Sequence, residues 1–134
     1  MGVWTNLNAV NPKTVTRSWS TAYYLPNAAR PNFCVLTEAL VTEVILVESP
    51  GAEWIASGVR FRHGDDEYAV TATREVVICA GSIQSPQILE LSGIGASEVL
   101  TKAGIDVKVH SPNVGENLQD HISTCPSALV SHRC

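Results

Sequence analysis

Hydrophobic periodicity is weak over the first thirty-two residues, which are rich in Asn, Pro, Thr and Ser and read as loop or irregular structure. Ser20 to Leu25 has room for one helical turn, ended by Pro26-Asn27. From Phe33 the texture changes. Leu36 to Val47 is rich in β-branched residues and stops at Ser49-Pro50-Gly51, a turn signal. Ile55 to Arg62 and Tyr68 to Thr73 follow, with His63-Gly64-Asp65-Asp66 as a hairpin connection. Val59, Phe61, Tyr68, Val70 and Ala72 alternate with polar neighbours at a period of two. Three such segments in a row predict a small antiparallel meander with one face wet.

The next segment has a different grammar. Val76-Val77-Ile78-Cys79-Ala80 does not alternate, so it predicts a strand covered on both faces, as in a parallel sheet, with Cys79 packed as a small hydrophobe. Ser85 suits an N-cap and Pro86 a first helical position, so a helix is expected from there to Leu91, stopped by Gly93 and Gly95. A second helical piece, Ser97 to Ala103, is capped by Ser97 and closed by Gly104; Ile105 to Val109 then alternates as a short strand. The tail from Ser111 reads as loop. The expected class is α/β: a meander, then a buried strand and short helices.

Composition narrows the partners. The 134 residues carry 9 Lys+Arg against 13 Asp+Glu, a net charge of −4, with 45% hydrophobic and 16% charged positions. That length fits one domain able to bury roughly two-thirds of its unfolded surface, and the composition is unlike a disordered tail. Without a Lys/Arg run the chain lacks the electrostatic footprint for nucleic acid. No stretch approaches the ~20 apolar residues of a membrane span. The start has no signal-peptide pattern, Asn6 spoils a myristoylation motif, and no Asn-x-Ser/Thr sequon occurs, so the chain as written has no export address. Cys34, Cys79, Cys125 and Cys134 form no Cys-x-x-Cys pair, and with His132 they match no standard zinc spacing.

The fullest chemical signal is the apolar run, then Ala80-Gly81-Ser82, then a helix. A glycine at the carboxyl end of such a strand lets a ligand approach the backbone, although a plain strand-to-helix turn has the same spacing. Gly93-Ile94-Gly95-Ala96-Ser97-Glu98 imitates a dinucleotide fingerprint but lacks the third glycine and follows a helix. Asp120-His121 with a serine is the one hydrolase-like pairing, and an ordinary surface His accounts for it better. His63 and His110 are expected to be solvated, and the aromatic residues to pack.

Gly81-Ser82-Ile83-Gln84-Ser85-Pro86-Gln87-Ile88-Leu89-Glu90-Leu91-Ser92-Gly93-Ile94-Gly95 resembles the second signature of the glucose–methanol–choline (GMC) flavoprotein oxidoreductases. Arg74 to Ala80 resembles the strand before that signature, and Asn113 to His121 resembles the family's Val-Gly-x-Asn-Leu-x-Asp-His segment. Upstream, Arg17-Ser18, Ala22 to Leu25, Arg30-Pro31-Asn32 and Val35-Leu36-Thr37 are similar to the stretch leading into the meander. The likeness runs from about Arg17 to His121, with a texture closest to fungal aryl-alcohol-oxidase-like members.

The resemblance implies part of a Rossmann-like FAD-binding domain over 1–134, with no second domain. It assigns a backbone contact with the FAD adenine to Val41 and places the strand end at Ala80 and Gly81 near the cofactor. Ser82 and Asn117 are further cofactor-binding candidates; Asp120 and His121 are either loop-organising or substrate-contacting. No catalytic residue is assigned. The family's Gly-rich dinucleotide loop and its C-terminal catalytic His pair have no match here. The chain therefore reads as an internal fragment of a parent that oxidises a small alcohol with FAD, inactive alone and prone to self-association. The alternatives are a non-catalytic interaction protein retaining a flavoprotein fragment and, as the lesser one, a hydrolase using Asp120-His121 with a serine.

Overall fold

The computed structural model describes residues 10–120, apart from positions 12, 18 and 52. The chain divides into two compact units, Met1–Thr37 and Glu38–Cys134. In the first, β1 (Val10–Asn11) pairs antiparallel with β2 (Thr16–Arg17). The expected helical turn is α1 (Thr21–Tyr24), which tightens into a 3-10 turn over Leu25–Asn27 where Pro26 enters. The Tyr24 and Phe33 rings pack with centroids 5.9 Å apart.

The second unit holds the meander: β3 (Ala39–Glu48), β4 (Trp54–His63) and β5 (Asp66–Thr71), antiparallel in that order. β3 begins after Glu38, whose φ of 57° breaks the extended chain and puts the start three residues beyond Leu36. Gly64, at φ 64°, opens a two-residue hairpin between His63 and Asp66, the geometry that matches strand twist. Register shifts fall at Thr42 on β3 and Ser57 on β4. Each bulged hydroxyl donates across the ladder, Thr42 Oγ1 to the Arg60 carbonyl (3.2 Å) and Ser57 Oγ to the Ile45 carbonyl (3.1 Å). Phe61 stacks on Tyr68 at 5.6 Å.

The apolar run is the first departure. Residues 75–79 pair with no strand among the described residues, and exposure alternates: Val76 and Ile78 are half-buried, while Val77 and Cys79 are exposed. An unbroken apolar run signals coverage on both faces, but no described residue supplies the flanking strands, so the thiol of Cys79 faces outward instead of packing. Cys34 and Cys79 are free thiols; Cys125, Cys134 and His132 lie outside the described residues.

The second departure is the helix start. α2 spans Gly81–Leu91, so Ser85 and Pro86 sit inside it. Gly81, at φ 86°, makes the turn from the extended segment, and Ser85 Oγ accepts from the Ala80 N–H at 3.1 Å. Pro86 offers no N–H to the Ser82 carbonyl one turn earlier. The end is as expected: Gly93 follows at φ 89°, its N–H donating to the Glu90 carbonyl (2.9 Å).

β6 (Ile94–Gly95) then pairs parallel with β7 (Val109–His110), a shorter and later strand than Ile105 to Val109. Between them lies α3 (Ser97–Lys102). Its N-cap is Ala96, with no side-chain cap; Ser97 Oγ instead shares a 2.8 Å hydrogen bond with His110 Nδ1. Gly104, at φ 72°, closes it. The buried apolar set among the described residues is small: Val44, Phe61, Ala96 and Leu100. A closed domain of this length was expected to bury far more.

Candidate functional site

The site is built where α2 crosses β3. Ser92, at the end of α2, is 1% exposed and ties the two together. Its hydroxyl donates to the Ile88 carbonyl at 2.6 Å and accepts the Val44 N–H at 2.8 Å. Both partners of that hydroxyl are backbone groups, so the end of the helix is pinned to the middle of the strand. Among the described residues β3 is an edge of its sheet, so alternate backbone groups along it are unused by β4, and the Val44 N–H meets the helix end through Ser92.

Between the two elements runs a groove of about 550 Å³, lined by Ala39, Leu40, Val41, Thr42, Ala80, Gln84, Gln87, Ile88 and Leu91. It brings Val41 and Ala80, 39 positions apart in sequence, to one surface. Gly81 stands next to Ala80 with open space where a Cβ would point. Its φ of 86° would strain any other L-residue there, so the bare backbone is a requirement of the turn as well as an opening.

Ser82 faces a second, smaller hollow of about 270 Å³, with Ile83, Pro86, Gln87, Glu90, Gly115, Glu116 and Leu118. Gln87 belongs to both walls, so the two hollows adjoin. Gly115, at φ 77°, is in the left-handed region that favours glycine, and a Cβ there would sit 3.0 Å from Glu90 Oε1. Asn117 lies in the same loop between Glu116 and Leu118, at φ 54°, but its Oδ1 accepts from Gln119 Nε2 at 2.8 Å and its side chain lines neither hollow. Of the five sequence-derived positions, the structure thus joins Val41, Ala80 and Gly81, puts Ser82 next door, and leaves Asn117 on the rim loop.

Thr42 and Leu91 continue into a charged margin with Glu43, Arg60 and Glu67. Arg60 Nε donates to Glu43 Oε1 at 2.8 Å, and Glu67 Oε2 lies 3.7 Å from Arg60 Nη1. The hydrogen bond to Glu43, then the negative charge of both glutamates, pushes the guanidinium pKa further above its ordinary value. The guanidinium therefore stays charged at any working pH.

Other chemistry is sparse. No group of three His, Cys, Asp or Glu among the described residues has metal-ligand geometry, and no described helix is long and apolar enough to cross a membrane. His63 and His110 are exposed, as expected; His121 lies outside the described residues. Sequence reasoning missed Gln84, Gln87, Leu40 and Leu91. Gln84, Gln87 and Leu91 do recur at helical spacing, but a helix begun at Ser85 leaves Gln84 off that face.

The family model for GMC oxidoreductase matches residues 6–123, and the chain belongs to that family. Among curated relatives, "Dehydrogenase mpl7" of Monascus purpureus is 44% identical over 122 residues, which is 90% of this chain and 19% of the relative. An FAD-dependent oxidoreductase from Chaetomium thermophilum superposes with a TM-score of 0.75 at 34% identity, covering 84% of this chain and 19% of the other. A fungal aryl-alcohol oxidase does so at 0.72 and 30%, covering 83% and 18%. The chain spans about a fifth of the length of the relatives it matches. The signature-based resemblance and the α/β class are borne out; both solved neighbours are flavoenzymes or alcohol oxidases by their descriptions.

Proposed function

We propose that this chain forms one wall of the FAD site of a GMC flavoprotein that oxidises the CH–OH group of a small alcohol. The observation that carries the reading is the α2–β3 groove, which sets Val41 and Ala80 on one surface beside the open backbone of Gly81. The residues fit the group. Apolar side chains on two walls suit the faces of a purine, and an edge strand offers Val41's neighbourhood the backbone groups that a purine edge needs. Val41 holds the adenine, Ala80 and Gly81 allow the nucleotide to pass close to the main chain, and Ser82 and Asn117 act from the adjoining hollow and its rim.

Bound flavin supplies the hydride acceptor for the alcohol carbon. The chain's own residues bind and orient; none is assigned the base that takes the hydroxyl proton. The chain alone therefore holds FAD weakly and does not turn over an alcohol. The family names of its relatives support an alcohol donor without fixing which one.

The test is an FAD titration of the 134-residue chain followed by amide NMR, with gel filtration and an absorbance spectrum of the protein peak. Amide shifts concentrated at Val41, Ala80 and Gly81, with a colourless protein peak, are expected. A flavin band travelling with the protein overturns the weak, incomplete site. Shifts that avoid these three residues overturn the groove.

A further inference from the structure

We propose that Ser92 is a positioning residue for nucleotide binding: its buried hydroxyl holds the walls of the α2–β3 groove in the arrangement that FAD binds. This rests on the groove being part of the FAD site. Ile88 and Leu91 belong to the helix wall, Val41 and Thr42 to the strand wall, and Ser92 itself lines neither. Ser92 follows directly on Leu91, and its strand partner Val44 lies two residues beyond Thr42. The hydroxyl donates to the carbonyl of Ile88, a residue of the groove, and accepts the Val44 N–H. One oxygen is thus bonded to the helix wall and to the strand just past the other wall.

The two elements have little else to hold them in register. β3 is paired along its length with β4, which secures the strand wall from its far side. At the start of α2 the Ala80 N–H meets Ser85 Oγ, a bond that ties the helix to the segment before it and not to β3. Among the described residues no other hydrogen bond joins α2 or its cap to β3, which leaves side-chain packing as the rest of the tie.

Val44 is 4% exposed and Ser92 1%. Without the hydroxyl, the Val44 N–H reaches water only if the helix end lifts from the strand, and an unpaired buried donor favours that opening. Lifting carries Ile88 and Leu91 away from Val41. A ligand that needs both walls then binds only the fraction of molecules still closed, and its apparent affinity falls by that fraction.

The experiment titrates FAD into the isotope-labelled 134-residue chain, for wild type, Ser92→Ala and Gly104→Ala, following the Val41 and Ala80 amides of the folded form. Gly104→Ala is the stability control: it strains a left-handed turn at the end of α3, with nothing within 4 Å of the added methyl and no part in the groove. Ser92→Ala is expected to weaken FAD binding about tenfold, as when about one molecule in ten stays closed. Gly104→Ala is expected to bind as wild type does. Ser92→Cys, which fills the same space with a weaker acceptor, makes the comparison if the alanine variant loses its fold. A folded Ser92 variant that binds FAD as tightly as wild type overturns the positioning role and leaves the groove intact. An equal loss in Gly104→Ala also overturns it, because affinity would then follow stability and not position. A wild type whose Val41 and Ala80 amides ignore FAD overturns the reading of the groove and this inference with it.

Discussion

At Gly93 the backbone turns through φ 89°, and the carbonyl accepts from the Lys108 and Val109 N–H groups at 2.9 and 3.0 Å. One residue thus ends α2 and receives the strand that returns beside it. A Cβ at this position would lie 2.6 Å from the Asp106 carbonyl oxygen and 3.1 Å from Lys108 Cγ. Gly104 makes a useful contrast, because its φ is 72° but nothing lies within 4 Å of its missing Cβ. Gly104→Ala carries only the left-handed cost, about 1–2 kcal/mol. Gly93→Ala adds a backbone clash and is expected to lose at least about 1 kcal/mol more. Urea unfolding of the two variants measures the difference directly; equal losses would mean that the Asp106 loop gives way at no cost. Gly81 shares the left-handed conformation of both and the open surroundings of Gly104, so its backbone is set by the turn and not by packing.

Ser92 does for the elements what Gly93 does for the chain. It ends α2 and satisfies an N–H on the edge strand β3, 48 positions away. Ser92→Ala would leave the Val44 N–H, in the centre of the small core, without its partner. A loss of about 1–3 kcal/mol is expected, the desolvation cost of a buried donor. In amide exchange, faster opening should appear at Val44 and along α2 together, whereas an effect confined to α2 would separate helix from strand. This coupling also bounds what the sequence could reveal. The meander was legible because Val59, Phe61 and their partners alternate at the strand period, and the glycines after α2 were legible because a left-handed turn has few other solutions. The start of α2 was not. Ser85-Pro86 is a strong local start signal, but Gly81 begins the helix four residues earlier, and Ser85 spends its hydroxyl on Ala80. That shift hid Gln84, and so the polar side of the groove. The 75–79 run misled for a different reason: its composition specifies burial on two faces, while the neighbours that would provide it are set by long-range pairing that no local pattern encodes.

For the molecule as a whole, the imbalance between apolar content and burial is the governing fact. Hydrophobic residues make up 45% of the sequence, yet the described core consists of Val44, Phe61, Ala96 and Leu100. Val77 and Ile83 are each 71% exposed, and the backbone of 75–79 has no ladder partner among the described residues. An extended apolar segment with open N–H and C=O groups is a template for pairing with another chain, and uncovered apolar surface beside it adds a non-specific drive. The chain spans about a fifth of the length of the curated relatives it matches. Alone at micromolar concentration, the chain is expected to associate with itself. Light scattering coupled to gel filtration should show a mass that rises with protein concentration, and a dye that reports apolar surface should bind. Val77→Lys places a charge on the exposed side of the segment, where it blocks edge pairing without entering the core. It should shift the mass back towards one chain and leave the α2–β3 groove able to bind FAD. A wild type that stays monomeric at every concentration, with no dye binding, would mean that the segment is already covered by part of this chain outside the described residues. Association that Val77→Lys leaves unchanged would instead move the contact from 75–79 to another apolar face, with Leu40 and Leu91 of the groove the next to substitute.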